Sequence, residues 1–334
     1  MITAKEIAAK FGVSAATVSM ALNNRPGIGE ETRKNILALA KEMGYKKRIN
    51  PFHNQPKTLN LVIYKKHGDV VSDTPFFTEL TQGIEQQTRK SGHNLLVSYF
   101  YESLDQTEQI NAISASSSKG IILLATEMMP DDLPPFLSLP VPLVLLDNSF
   151  IDVDFDSITI NNIQGSMRAV KCLEQSGHIQ IGHLRSSVGI NNFYERRDGY
   201  IKGMGDKDIT QYTFPISSTA EGAYEDMKKH LSSKPKMPSA FFADNDIIAI
   251  SCIRAFREAG YRIPEDISII GFDDITTSAI IDPPLSTMRV PKKTMGILAV
   301  DQLLKRVHNE AVESVRIAVN TTLITRSSIK QISK

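Results

Sequence analysis

From residue 59 onward, short apolar runs alternate with amphipathic helical stretches, and this alternation restricts the chain more than any other feature. The runs fall at 59–64, 94–99, 120–125, 143–147, 158–161, 181–184, 240–243 and 267–272. The helical stretches fall at 77–91, 106–117, 164–176, 196–204, 222–231, 246–259 and 292–308. Gly92, Gly177 and Gly260 close three of them, as a left-handed helix stop requires. Strands separated by helices need crossover connections, so they lie parallel with helices on both faces. So many strands exceed one small sheet. The expected fold is therefore α/β, with two doubly wound lobes, and ligands in such sheets sit at the carboxyl ends of strands. In a two-lobed body that position is the cleft between lobes.

Polar residues cluster where those strands end. Asp147 and Asn148 follow one run, Asn161 and Asn162 another, Asp244, Asn245 and Asp246 a third, and Asp273 and Asp274 a fourth. Arg196 and Arg197 are expected to open a helix after a loop containing Asn191, Asn192, Phe193 and Tyr194. Taken singly, an Asp or Asn after a strand reads as a helix cap, and Asp246 and Asn162 read partly so. The recurrence at several strand ends favours a shared polar cleft for a polyhydroxylated or otherwise polar ligand.

The first 48 residues are of another kind. Thr3 and Glu6 form a T-x-x-E capping box that starts a helix at Ala4. Gly12 stops that helix, Ser14 can cap a second one, and Val18 with Leu22 gives the second its buried side. A third helix follows Gly29, with Glu30 and Glu31 where the helix dipole favours acids. This is a three-helix head of helix-turn-helix type. Nine basic residues stand against four acids in residues 1–48, a net +5, while the whole chain carries +1, so the remainder carries −4. A basic head on a mildly acidic body is the electrostatic footprint of a nucleic-acid module joined to something else. Residues 46–58, interrupted by Pro51 and Pro56, read as a linker.

Length and composition narrow the class further. A chain of 334 residues suits two or three domains, and 41% hydrophobic content is ordinary for a globular one. Cys172 and Cys252 are the only cysteines; they read as buried apolar residues in a reducing compartment, not as a disulfide or metal site. No signal peptide or membrane-spanning run is visible, so a soluble cytoplasmic protein is expected. The seven histidines show no H-x-x-x-H or H-E-x-x-H spacing, and Gly27-Ile28-Gly29 lacks the further glycine and preceding strand of a phosphate loop. No cofactor and no metal are expected.

Several motifs together resemble the lactose-repressor/galactose-repressor (LacI/GalR) family of bacterial transcription regulators. In the head they are Val13-Ser14, Thr17-Val18-Ser19, Leu22-Asn23, Glu30-Glu31-Thr32-Arg33 and Gly44-Tyr45. In the body they are Pro75-Phe76-Phe77, Gly83-Ile84-Glu85, Gly120-Ile121-Ile122-Leu123, Gly177-His178, Arg196 with Gly199-Tyr200, Asn245-Asp246, the run from Ile263 to Asp274, Pro283-Pro284-Leu285-Ser286-Thr287 and Thr325-Arg326-Ser327-Ser328.

The resemblance implies a periplasmic-binding-protein-like body and a homodimer, or a dimer of dimers, on double-stranded operator DNA. It implies DNA contacts from Thr3, Ser14, Ala15, Ala16, Thr17, Ser19, Met20, Asn23, Arg33 and Tyr45. It implies effector contacts from Phe76, Phe77, Asp147, Asn192, Arg196, Asn245 and Asp273. The expected domains are 1–48 for the head, 49–58 for the hinge and 59–334 for the effector-binding and dimerisation body. Its N-lobe is expected near 59–161 and 290–320, and its C-lobe near 162–289 and 321–334.

The chain departs from the family pattern twice. Met20 stands where many members carry a DNA-reading arginine, so hydrogen-bonded base readout by this helix is thin. The hinge lacks the family's leucine wedge; Phe52 is its one large apolar candidate for insertion, with an extended tether as the alternative. The expected function is an effector-controlled repressor whose ligand is a carbohydrate, with a nucleobase-like ligand or a phosphorylated co-regulatory partner as the lesser options. A solute-binding protein for transport and a cleft enzyme are the competing classes.

Overall fold

The computed structural model describes residues 2–22, 27–45, 58–71, 75–205, 212–309 and 313–332. Asn23 and all of the expected hinge except Thr58, including Phe52, lie outside them. Two compact units are present, Met1–Pro56 and Lys57–Lys334.

In the first unit, α1 (Ala4–Phe11), α2 (Ala15–Leu22) and α3 (Glu30–Glu42) share one small core. The capping box at Thr3 forms in full: Glu6 N donates to Thr3 Oγ1 at 3.4 Å and Thr3 N donates to Glu6 Oε2 at 2.7 Å. Gly12 turns the chain at φ +78°, and Thr17 N donates to Ser14 Oγ at 3.1 Å. Ile7, Ala8, Val18, Ala21, Ile36 and Ala40 are the buried residues of this core. Leu22, expected on the buried side, is half-buried, and Ala21 takes that place.

The second unit holds two six-stranded sheets. The first has the order β11-β5-β4-β3-β1-β2, built from β1 (Thr58–Lys65), β2 (Asn94–Tyr101), β3 (Gly120–Leu124), β4 (Leu143–Leu146), β5 (Asp156–Ile160) and β11 (Arg316–Val319), all parallel. The second has the order β12-β10-β9-β8-β6-β7, built from β6 (Ile181–Ser186), β7 (Thr213–Ile216), β8 (Ala240–Ala243), β9 (Ser268–Asp273), β10 (Ser286–Arg289) and β12 (Thr322–Ile324). Only the β10–β12 pairing is antiparallel. In both sheets the order reverses beside the first strand, the switch point of a doubly wound sheet.

Four strands have no counterpart among the apolar runs: β7, β10, β11 and β12. Three are short edge strands, which need no continuous apolar run. The fourth, β10, is internal but polar; Ser286 and Thr287 are fully buried because their polar groups find partners.

Helices α4 (Pro75–Lys90), α5 (Gln106–Ala115) and α10 (Lys292–Val307) belong with the first sheet. Helices α6 (Asn162–Gln175), α7 (Asn191–Met204), α8 (Ala220–Ser232) and α9 (Asp246–Glu258) belong with the second. The chain thus crosses between lobes three times: after β5, after β10, and between β11 and β12.

Two local expectations are corrected. Helix α7 begins at Asn191, not Arg196, so Asn192 and Phe193 sit on its first turn rather than in a loop. The caps of α6 and α9 are Asn161 and Asn245, one residue before Asn162 and Asp246.

Candidate ligand cleft and DNA-binding head

At the carboxyl ends of both sheets lies a narrow cavity between the lobes, the position at which doubly wound sheets hold their ligands. Phe76, Phe77, Asp147, Asn192, Arg196, Asn245 and Asp273 all line it. The first lobe supplies Phe76 and Phe77 from α4, packed edge to face at 5.0 Å, and Asp147 just after β4. The second lobe supplies Asn192 and Arg196 from α7, Asn245 at the start of α9 and Asp273 at the end of β9.

Asp147 is 2% exposed. Its Oδ2 accepts from Thr126 Oγ1 at 2.7 Å, and its Oδ1 has no hydrogen-bond partner. Burial pushes its carboxyl up to about 6, against the opposing pull of Thr126 and Arg196. Asn192 reaches across the lobes, donating from Nδ2 to the Asp147 carbonyl at 3.3 Å. Burial also raises Asp273, with Arg196 and Lys292 opposing.

Arg196 is held on every side. Its Nε donates to Asn162 Oδ1 at 2.9 Å and its Nη1 to the Asp244 carbonyl at 2.6 Å. Its Nη2 lies 3.2 Å from Asp273 Oδ1, an ion-pair contact without hydrogen-bond alignment. Its guanidinium carbon sits 3.9 Å from the centroid of the Phe272 ring, a cation–π placement.

Several strand-end residues support the cleft rather than line it. Asp244 accepts from Ser186 N and pairs with His183 Nε2, both at 2.7 Å. Asp246 accepts from Ser278 Oγ, Thr287 Oγ1 and Ile275 N; burial and the charge of Asp273 push it up to about 7. Asn148 donates to the Ala125 and Met128 carbonyls. Asp274 pairs with Arg289 and Arg326, away from the cleft. Tyr194, from the polar segment ahead of Arg196, is 49% exposed and lies in a separate groove with Ile151 and Asn191.

Sequence reasoning missed Asp69, Val70, Thr126, Ile190, Ser218, Ile247 and Ile275 in the lining. Thr126 directly follows a run already identified, so a wider strand-end census would have found it. Asp69 and Val70 had no such signal. Their loop is held from below by buried Glu127, which accepts five backbone N–H bonds of 2.8–3.2 Å from residues 66, 67, 68, 70 and 71. Although burial opposes it, those N–H groups hold Glu127 below the usual carboxylate range.

On the head, Ala15, Ala16 and Ser19 present an exposed face of α2, with Thr17 and Met20 half-buried beside them. Thr3 and Ser14 are exposed but engaged in their caps. Arg33 and Tyr45 are half-buried. Among the described residues, no helix is long and apolar enough to cross a membrane and no His/Cys/Asp/Glu group could hold a metal ion.

Fold and cleft together define a regulator class, in which a periplasmic-binding-protein-like body carries a helix-turn-helix head. Residues 170–329 match the periplasmic binding protein-like domain, and residues 3–47 match the bacterial regulatory proteins of the lacI family. The chain belongs to the lacI family of bacterial regulatory proteins. It is 30% identical to the probable HTH-type transcriptional repressor ExuR of Bacillus subtilis over the whole of both chains. It is 28% identical, again over the whole of both, to the HTH-type transcriptional repressor PurR of Mannheimia succiniciproducens. In fold it is similar to the regulator CelR in its cellobiose complex, with TM-score 0.74 and 24% identity over 98% of this chain and 100% of that one. It is a DNA-binding repressor with a ligand-binding domain, not an enzyme.

Proposed function

We propose that the chain acts in the cytoplasm as an effector-responsive repressor, binding operator DNA as a dimer and a carbohydrate in its cleft. The observation that carries the ligand reading is the meeting of the Phe76–Phe77 pair with Asp147, Asn192, Arg196, Asn245 and Asp273 in one cavity. Aromatic faces cover the apolar side of a sugar ring, while buried amide and carboxylate groups meet its hydroxyls. The cellobiose complex of CelR supports the same class of ligand.

The seven residues come from two lobes. A ligand that contacts both favours one inter-lobe angle, and the switch needs a differential affinity of a few kcal/mol between states. In a dimer, that angle sets the spacing of the two heads. The dimer reading is supported by edge strand β2, which exposes Leu96, Val97, Tyr99 and Tyr101, an unusual apolar edge for a monomer. Ala15, Ala16, Ser19 and Met20 are the residues of α2 that would approach the major groove.

Gel-shift titration tests this reading. The purified chain is expected to retard its own promoter fragment at two half-sites, and glucose, galactose, ribose or cellobiose to change that retardation. Failure to retard the fragment with or without these sugars overturns the proposal.

A further inference from the structure

Among the described residues, four ionisable side chains line the cleft: Asp69, Asp147, Asp273 and Arg196. We infer that the cleft takes an uncharged polyhydroxylated ligand and rejects carboxylate- or phosphate-bearing counterparts of the same size. This rests on the carbohydrate reading above and narrows it.

The imbalance of three acids against one base is sharpened by how the base is used. An arginine that recognises an anion presents two parallel N–H groups to it. Here Nε is bound to Asn162, Nη1 to the Asp244 carbonyl, and Nη2 lies against Asp273. One face of the guanidinium is covered by Phe272. Its charge is therefore matched within the protein, and its fork is spent on scaffold atoms. Lys292, outside the lining, donates to the Asp273 and Asp274 carbonyls and pairs with Glu79 at 3.6 Å.

Among the described lining residues, Arg196 is the one cation set against the three acids, and its direct partners are Asn162, the Asp244 carbonyl and Asp273. Asp147 Oδ1 is buried and has no partner. As a carboxylate it only accepts hydrogen bonds. A ligand hydroxyl donates to it and satisfies it. A ligand carboxylate or phosphate placed there adds a second acceptor of like charge, in a site where burial strengthens repulsion.

Matched pairs test this by calorimetric titration of the full chain at neutral pH. The pairs are glucose with glucuronate, galactose with galacturonate, ribose with ribose 5-phosphate, and cellobiose with a cellobiose phosphate. Whichever neutral member binds, its anionic counterpart is expected to bind at least about tenfold more weakly. Asp147→Asn should weaken the neutral ligand and narrow that gap. Asp69→Asn, at an exposed loop position, should narrow it too without disturbing the buried network.

An anionic member that binds equally or more tightly overturns the charge inference and leaves the carbohydrate reading intact. So does a gap that persists unchanged in both variants. Silence across all eight compounds overturns the inference together with the carbohydrate reading.

Discussion

Asp147 and Asp273 both adopt positive φ, +64° and +110°, a region that side chains other than glycine rarely occupy. Each follows or ends a strand at the cleft, and local strain at such a position is characteristic of functional sites. Burial raises both carboxyls, Asp147 to about 6, and raises Asp246 behind them to about 7. The groups facing Asp147 are Thr126, Asn192, Arg196, Asp273 and, across the cavity, Asp69. A carboxyl with a raised folded-state pKa holds a proton that the unfolded chain has already released, so stability falls as pH rises through the interval. The share of stability carried by these carboxyls should therefore be smaller at about pH 7.5 than at about pH 5.5, with His178, which burial holds below its ordinary value, acting in the opposite sense. Asp147→Asn should remove about 1 kcal/mol or less of that difference, read by calorimetry across pH. A slope unchanged in the variant would show that Asp147 is not its source. Below about pH 4 the sign reverses, because Glu127, Asp156 and Asp274 are held below their ordinary values. The strand-end pattern made Asp147, Asn245 and Asp273 legible in the sequence. The partners of Asp147 and Arg196 were not, since Thr126 reaches the first, and Asn162 and the Asp244 carbonyl reach the second, from separate elements.

At the scale of elements, α4 and α10 meet backbone to backbone. A Cβ on Gly83 would stand 2.3 Å from the Lys293 carbonyl oxygen, and one on Gly296 would stand 2.5 Å from that of Leu80. Both obstacles are main chain, so neither can swing aside. Gly296→Ala should destabilise the protein by about 1–3 kcal/mol through forced separation of the helices, seen as a lower melting temperature. An unchanged melting temperature would mean that the two helices can part without cost. Glu127 plays a comparable part for the 66–71 loop. Glu127→Gln replaces an acceptor-only carboxylate with an amide that cannot accept five N–H bonds, so it should weaken ligand binding in the cleft more than it lowers thermal stability. Equal effects on both would make Glu127 a general stability residue. The helices and the central strands were legible from periodicity, because each buries a continuous apolar face. The edge strands and polar β10 were not, since their pairing is fixed by neighbours in space.

Across the whole molecule, the basic head and the acidic body are separate compact units, Met1–Pro56 and Lys57–Lys334. A chain beginning at Lys57 should keep the ligand affinity of the full chain and lose DNA binding, measured by calorimetry and gel shift. A body that lost its ligand on removal of the head would overturn that independence. The charge split and the Pro51–Pro56 segment made this division legible. The triple crossing between lobes was implied by the family resemblance, since nothing in the hydrophobic pattern marks where the chain changes sheets. That crossing has a consequence for synthesis. Strand β5 closes its edge only against β11, which the ribosome makes after the entire second sheet core, and β10 waits longer still for β12. Neither sheet can be completed until those late strands have been made, and non-local pairing of this kind folds slowly and leaves strand edges open to aggregation. A message truncated just before codon 316 would therefore yield a product with both lobes unfinished, a substrate for chaperones and proteases rather than a half-working regulator.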